Sequence, residues 1–407
     1  MAVADGTAAA ARPAKKASKQ LVFRVHSWLG FKLSILMSAV LLSGAFATIA
    51  HEIDWLLTPE TRVAPGSTTA PWADLLKAAQ NARPEYRIDQ LRAADVPYMA
   101  TQAIAAAPDG QRKRLHLNPY TGAFQGESGW INAQRILRDF HRYLFLLPGG
   151  IGLLLVGGLG VILLVSSVSG IIAYKRFWRH PFRLRLNRGR RIFWGDFHKL
   201  AGVWGLWFAL LMGITGSWYL IEWGMQRAGA DPAAPWYRLE SKEEPPLLTP
   251  ERFAAQMAAA RASLPGLEPE MVLFAQQPGR PVVIGGNTKA ILERPRSSRV
   301  AIDPRSNRVL KIQRAQALPA LQRWTEMADP LHFGDFAGLP VKLLYFLFGL
   351  ALSALPLSGV WIYAFRLRNG HGKHVPATPM GRFKPISLGI FGLSLIGLGV
   401  TVWRYSV

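Results

Sequence analysis

The chain has 407 residues, enough for two or three soluble domains, but half of them are hydrophobic and only 18% are charged. Lys and Arg number 48 against 25 Asp and Glu, a formal net charge of +23, which suits a membrane surface or nucleic acid; the long apolar runs decide for the membrane. The absence of cysteine excludes disulfides, thiolate zinc sites, iron–sulfur clusters and haem attached through Cys-x-x-Cys-His.

A membrane-spanning helix needs roughly 20 mostly apolar residues. In chain order the sequence predicts a basic tail over 1–24, a first span over 25–51, an insert over 52–140 and a second span over 141–174. A basic loop over 175–197, a third span over 198–222 and a second insert over 223–331 follow. A fourth span over 332–365, with Pro356 inside, a loop over 366–385 and a fifth span over 386–403 complete the chain. The first apolar run lacks a small-residue cleavage site and continues into His51-Glu52, so it reads as a span rather than a cleaved signal peptide. Basic residues cluster before the first span, from Lys175 to Arg191, and between spans four and five. The positive-inside rule makes these regions cytoplasmic and the inserts periplasmic, in a multi-pass protein of a bacterial inner membrane with its C-terminus outside. They are read as topology and lipid contacts, not as nucleic-acid sites.

The chain also repeats itself. His26-Ser-Trp-Leu-Gly30 aligns with His198-Lys-Leu-Ala-Gly202, and Gly44 and Gly216 each lie 18 residues beyond their histidine. Ser169-Gly170-Ile-Ile-Ala-Tyr174 aligns with Ser358-Gly359-Val-Trp-Ile-Tyr363. Leu115-His-Leu-Asn-Pro-Tyr-Thr-Gly122 and Val300-Ala-Ile-Asp-Pro-Arg-Ser-Asn307 both read as strand, turn, strand, with Gly122 and Asn307 at positions tolerant of positive φ. The expected fold class is an all-α membrane bundle of five transmembrane helices, a duplicated helix–insert–helix unit plus one extra helix, with two small α+β inserts.

Five of the nine histidines sit at span ends, where an ionisable group is costly. Neutral imidazole is the usual axial ligand of b-type haem. By the duplication, His26 and His198 form one ligand pair and His141 and His332 another, giving two haem b groups. On a straight helix, 18 residues make five turns, so Gly44 and Gly216 stand directly above their histidines and Gly30 and Gly202 one turn on. Those four glycines are expected to make room for the macrocycles. His51 has no counterpart, Trp223 standing in its place; it is an alternative ligand or, with Glu52, an acceptor-side residue. Asp54 and Asp335 lie close to the outer histidines, where helix capping is the plainer reading.

The motifs His26-Ser-Trp-Leu-Gly30, Gly44 to Trp55, Asp139-Phe-His141-Arg, Asp196-Phe-His198-Lys-Leu-Ala-Gly-Val-Trp204 and Leu331-His332-Phe-Gly334, in this order, resemble those of the PepSY-associated transmembrane family. The two turn segments look like its PepSY inserts. Characterised members include inner-membrane ferrisiderophore reductases. The resemblance implies electron transfer across the membrane to a periplasmic ferric siderophore, with iron released as Fe(II). The donor is then membrane quinol or a separate reductase, since no Gly-x-Gly-x-x-Gly stands at a strand-to-helix turn. Two other readings compete: a siderophore or iron transporter, and a non-enzymatic membrane protein regulating a periplasmic partner.

Overall fold

The structure is a computed structural model that describes residues 22, 26–27, 33–94, 96–146, 150–174, 179–241, 243–290, 292–368 and 383–406. It divides into two compact units, each described by itself. The first comprises residues 1–47, 138–220 and 343–398; the second comprises 48–137, 221–342 and 399–407.

The helices are α1 (Ser34–Thr48), α2 (Ala50–Leu57), α3 (Trp72–Ala82), α4 (Ala133–Tyr143), α5 (Ile151–Ala173), α6 (Arg190–Trp204), α7 (Leu206–Arg227), α8 (Pro250–Ser263), α9 (Ala320–Phe333), α10 (Gly338–Arg368) and α11 (Phe383–Ser406). The expected five-helix, all-α bundle is not what forms. Among the described residues, three helices are long and apolar enough to cross a membrane, over 151–173, 338–365 and 385–403. The segments expected as first and third spans are bent pairs, α1 with α2 at 63° and α6 with α7 at 64°. The second break falls at Gly205, where a Cβ would stand 2.7 Å from the Ala201 carbonyl oxygen; only glycine lets the chain turn so tightly against the preceding helical turn. Ile49, at φ −110° and ψ 19°, makes the first break. Pro356 lies within the continuous α10.

The inserts are not two separate small domains either. They share one antiparallel sheet of eight strands in the order β4-β3-β2-β1-β5-β6-β7-β8. The strands are β1 (Arg87–Arg92), β2 (Thr101–Ala106), β3 (Arg112–Leu117), β4 (Phe124–Gly129), β5 (Glu268–Leu273), β6 (Val282–Asn287), β7 (Ser298–Ile302) and β8 (Val309–Gln313). Two four-stranded meanders meet at β1 and β5, where Gln90, Leu91 and Arg92 pair with Leu273, Val272 and Met271. Each inner edge that would otherwise stay open is thereby covered by the other copy, which removes two aggregation-prone strand edges. The duplication extends to irregularities: register shifts fall between His116 and Leu117 and between Ala301 and Ile302, the same step of each repeat.

One face of the sheet is apolar. Leu91, Ala103, Leu115, Leu117, Val272, Ile284, Val300 and Ile302 point into a common core. Two amphipathic helices close it. α3 contributes Leu75, Leu76 and Ala79; α8 contributes Phe253, Met257 and Ala260, at one-turn spacing. Thr249 caps α8 through the Arg252 N–H, with Pro250 following. The Asn/Asp-Pro turns form as expected. Gly122 and Asn307 adopt φ of +75° and +58°, and the side chains of Asn118 and Asp303 accept N–H groups two and three residues on.

Candidate functional site

The first unit brings three histidines onto neighbouring helices in one and the same way. The Nδ1 of His26 lies 3.0 Å from the Ser166 carbonyl oxygen of α5 and 3.2 Å from the Ser169 hydroxyl. A carbonyl can only accept, so Nδ1 carries the proton and Nε2 keeps a lone pair. The Nδ1 of His198 lies 2.8 Å from the Ser358 hydroxyl of α10. That hydroxyl donates its own hydrogen to Leu355 at 2.7 Å, so the imidazole is again the donor. The Nδ1 of His141 donates to the Val40 carbonyl of α1 at 2.8 Å. In all three rings the same tautomer is set, with the lone pair on Nε2. A hydrogen bond from the far nitrogen is what orients metal-ligating histidine and raises its basicity.

His26 and His198 face each other with ring centroids 6.4 Å apart and planes at 82°. A ligating imidazole nitrogen sits about 2.0–2.1 Å from a metal ion and about 1.1 Å from its own ring centre, so two axial imidazoles on one ion place their centroids roughly 6.3 Å apart. Both rings line a cavity of about 1060 Å³, at the top of the roughly 300–1,000 Å³ range of small-molecule pockets. Its walls are mostly apolar, with Ile162, Leu163, Leu206, Leu352 and Ile362, and it also meets Arg188, Arg190, Arg191 and Lys199. The donor set and the space therefore fit a flat iron macrocycle held by two imidazoles.

Among the described glycines, Gly44 and Gly216 pack closely on other parts of the chain. Gly44 lies against His141: a Cβ there would meet the ring's Cε1 at 2.6 Å and Nδ1 at 3.0 Å. Gly170 and Gly359, which the repeat picked out without assigning a purpose, lie beside His26 and His198 with more room: a Cβ there would stand 3.4 and 3.9 Å from the rings' Cε1 atoms, an ordinary contact. The bend at Gly205 takes Gly216 off the axis of the helix that carries His198; it packs on Gly160, backbone to backbone. Gly202 has open space beside it and lines the cavity. Gly30, His371 and His374 lie outside the described residues. Trp207 and Phe208 pack on Tyr345 and Phe348 in an aromatic cluster.

Residues 23–366 match the sequence pattern of the PepSY-associated TM region. The chain belongs to that family. The uncharacterized protein PA4219 of Pseudomonas aeruginosa is 40% identical over 82 residues, 20% of this chain and 20% of its own. The similarity thus spans a fifth of that relative's length.

In this PepSY-associated membrane protein, the remaining expected site residues belong to the second unit. His332 stands in the last turn of α9. A buried network secures that helix: Glu326 accepts from Arg294 at 2.5 Å, from Arg296 at 3.1 Å and from the Ser297 hydroxyl at 3.1 Å, and Arg294 also pairs with Asp329. Burial raises the Glu326 carboxyl, but the hydrogen bonds and charges of Arg294 and Arg296 outweigh it and hold the group below its ordinary range. His51 lies partly buried on α2. Glu52 forms an ion pair with Lys342 at 3.1 Å, and the Lys342 side chain is 6% exposed. Lys342 escapes the sequence reading because it falls inside an otherwise apolar run. Asp54 caps α4, the helix that carries His141: it accepts the N–H groups of Ala133 and Gln134 and the Asn132 amide.

Proposed function

We propose that this protein is a haem-containing membrane oxidoreductase, with one haem b held between His26 and His198. One observation carries this reading: two imidazoles from duplicated helices face each other at 6.4 Å, each with Nδ1 already engaged. A bound haem supplies one-electron redox chemistry. His26 and His198 present the Nε2 lone pairs. Ser166, Ser169 and Ser358 hold the ring tautomers. Arg188, Arg190 and Arg191 supply positive charge at the cavity for acidic substituents. His141, its Nδ1 engaged in the same way by Val40, is offered as a ligand of a second haem.

The excess of arginine from 179 to 191 argues for a cytoplasmic position of that loop in a bacterial inner membrane. Electrons then pass outward from membrane quinol or a separate reductase to a periplasmic ferric siderophore. Reduction lowers the charge density of the iron and weakens its hold in a hard-oxygen chelate, releasing Fe(II).

The test is the absorption spectrum of protein purified from haem-replete cells. The expected result is a Soret band and α band that shift on dithionite and are lost in His26→Ala and His198→Ala. Ser358→Ala is expected to keep the haem and change its midpoint potential, because it alters only the bond to Nδ1. A colourless preparation overturns the proposal.

A further inference from the structure

The basic stretch between α5 and α6 is folded back on α6 and encloses a small pocket. From Phe182 to Leu186 apolar and basic residues alternate. Alternation sends successive side chains to opposite sides of an extended chain. The structure sorts them in that way: Arg183 and Arg185 line the pocket with Tyr174, His180, Asp196 and Lys199, whereas Phe182, Leu184 and Leu186 are exposed. Three contacts hold the stretch in place. The Trp204 indole N–H donates to the Pro181 carbonyl at 2.9 Å, and the Phe182 ring packs on Trp204 at 4.9 Å. Arg185 clasps Asp196, with Nε on one carboxylate oxygen at 2.7 Å and Nη2 on the other at 3.0 Å.

That clasp occupies both oxygens of the acid that lines the pocket. Arg183 and Lys199 have no ion pair among the described residues; Lys199 lies 5.5 Å over the Tyr174 ring. The lining therefore keeps two positive charges in excess, with His180 beside them. His180, Arg183 and Lys199 are all exposed, so a ligand reaches them from outside. The pocket measures about 50 Å³, room for a few waters or one tetrahedral oxyanion and far less than the roughly 300–1,000 Å³ of a metabolite site. Tyr174 directly follows α5, one of the helices long and apolar enough to cross a membrane, so the pocket stands where a span ends and lipid phosphates lie. General attraction of a basic loop to anionic lipid needs no pocket. A cavity of one phosphate's size, with unpaired cations inside and exposed apolar side chains next to them in the chain, selects a phosphate that carries acyl chains.

We propose that His180, Arg183 and Lys199 bind the phosphate of an anionic phospholipid whose acyl chains lie against Phe182 and Leu186. The guanidinium fork matches phosphate oxygens, and the ammonium adds a point charge. A zwitterionic headgroup would bring its own cation against the excess positive charge, so it is disfavoured. The inference does not depend on the haem reading, because His180 and Arg183 lie outside the lining of the large cavity.

The full-length chain in detergent is titrated with phosphatidylglycerol and phosphatidylcholine of the same acyl chains, and retained lipid is counted by native mass spectrometry. One phosphatidylglycerol per chain is expected to be held in preference. Its affinity falls about tenfold in Arg183→Gln, as fits the loss of a charge-assisted hydrogen bond. It is unchanged in Arg179→Gln, which removes the same charge from the same stretch but outside the pocket. Phe182→Ser weakens the lipid severalfold. No preference for phosphatidylglycerol, or equal weakening in the two arginine variants, overturns the proposal. Inorganic phosphate separates the two sources of the group: if it displaces the lipid and Phe182→Ser changes nothing, the pocket serves free phosphate and the lipid assignment falls. A loss of haem in Arg183→Gln with lipid still bound would give the pocket to the acidic groups of haem and overturn the assignment as well.

Discussion

The contact between Gly44 and His141 offers a test whose sign differs between related sites. In Gly44→Ala the new methyl would stand 2.6 Å from Cε1, about 1 Å inside an ordinary carbon–carbon contact of about 3.5–4.0 Å. The ring has little freedom to withdraw, because its Nδ1 is held by Val40 at 2.8 Å. Overpacking costs about 1–3 kcal/mol, and losing the Val40 bond adds about 0.5–1.5 kcal/mol. Against this, alanine in place of glycine within a helix gains about 0.5–1 kcal/mol. The net is a destabilisation of about 1–3 kcal/mol. At Gly359 the corresponding methyl would meet His198 at 3.9 Å, an ordinary contact, so Gly359→Ala keeps only the helical gain. Gly170→Ala, at 3.4 Å, falls between. Thermal unfolding in detergent reads the series: at about 2–4 °C per kcal/mol, Gly44→Ala lowers the Tm by several degrees while Gly359→Ala leaves or slightly raises it. Equal shifts in the three variants, or no loss in Gly44→Ala, would refute the argument that the distance from glycine to imidazole sets the cost.

Two further outcomes follow from the second unit. Burial, aided by the charge of Arg114, lowers the His116 pKa to about 4 from 6.5, so the fold favours the neutral ring and the unfolded chain takes up the proton first. That stability is fully present above pH 6.5, is lost as the pH falls toward 4 and amounts to roughly 3 kcal/mol; denaturant titrations over this window show the slope, and His116→Asn flattens it. Glu326→Gln leaves the half-buried Arg294 and Arg296 against a neutral amide and is expected to destabilise the unit by about 2–3 kcal/mol, below the range for a fully buried pair, with faster hydrogen exchange in α9. A loss below about 1 kcal/mol would show that the network is not what holds the helix of His332.

The duplication was legible from the sequence because it is written in residue types that chemistry constrains tightly. Histidine followed by glycine, Ser-Gly on the partner helix, and Asn/Asp-Pro with a residue tolerant of positive φ all survive as short motifs. The rings of His26 and His198, which the repeat aligns, lie with centroids 6.4 Å apart. What failed was the assumption of straight helices. A five-turn spacing from His198 to Gly216 has meaning only if nothing interrupts it, and Gly205 does. Helical periodicity says which residues share a face but not which neighbouring element fills it, so the contact of Gly44 with His141 is visible only in the packing. The serine anchors were visible as repeats, in Ser169-Gly170 and Ser358-Gly359, yet only the packing of one helix on another shows that they meet the histidines. The single sheet was illegible because the pairing of β1 with β5 joins strands separated by nearly half the chain.

The places where the two copies agree and disagree sort the molecule's tasks. Both copies anchor a histidine by the serine and glycine of the next span, and both build the same bulged meander, so these features serve what the halves do together. They differ elsewhere: His116 corresponds to Ala301 in the repeat, and Arg114, which lies over Trp130, corresponds to Arg299, whose Nη2 donates to the carbonyls of Ala234 and Pro235.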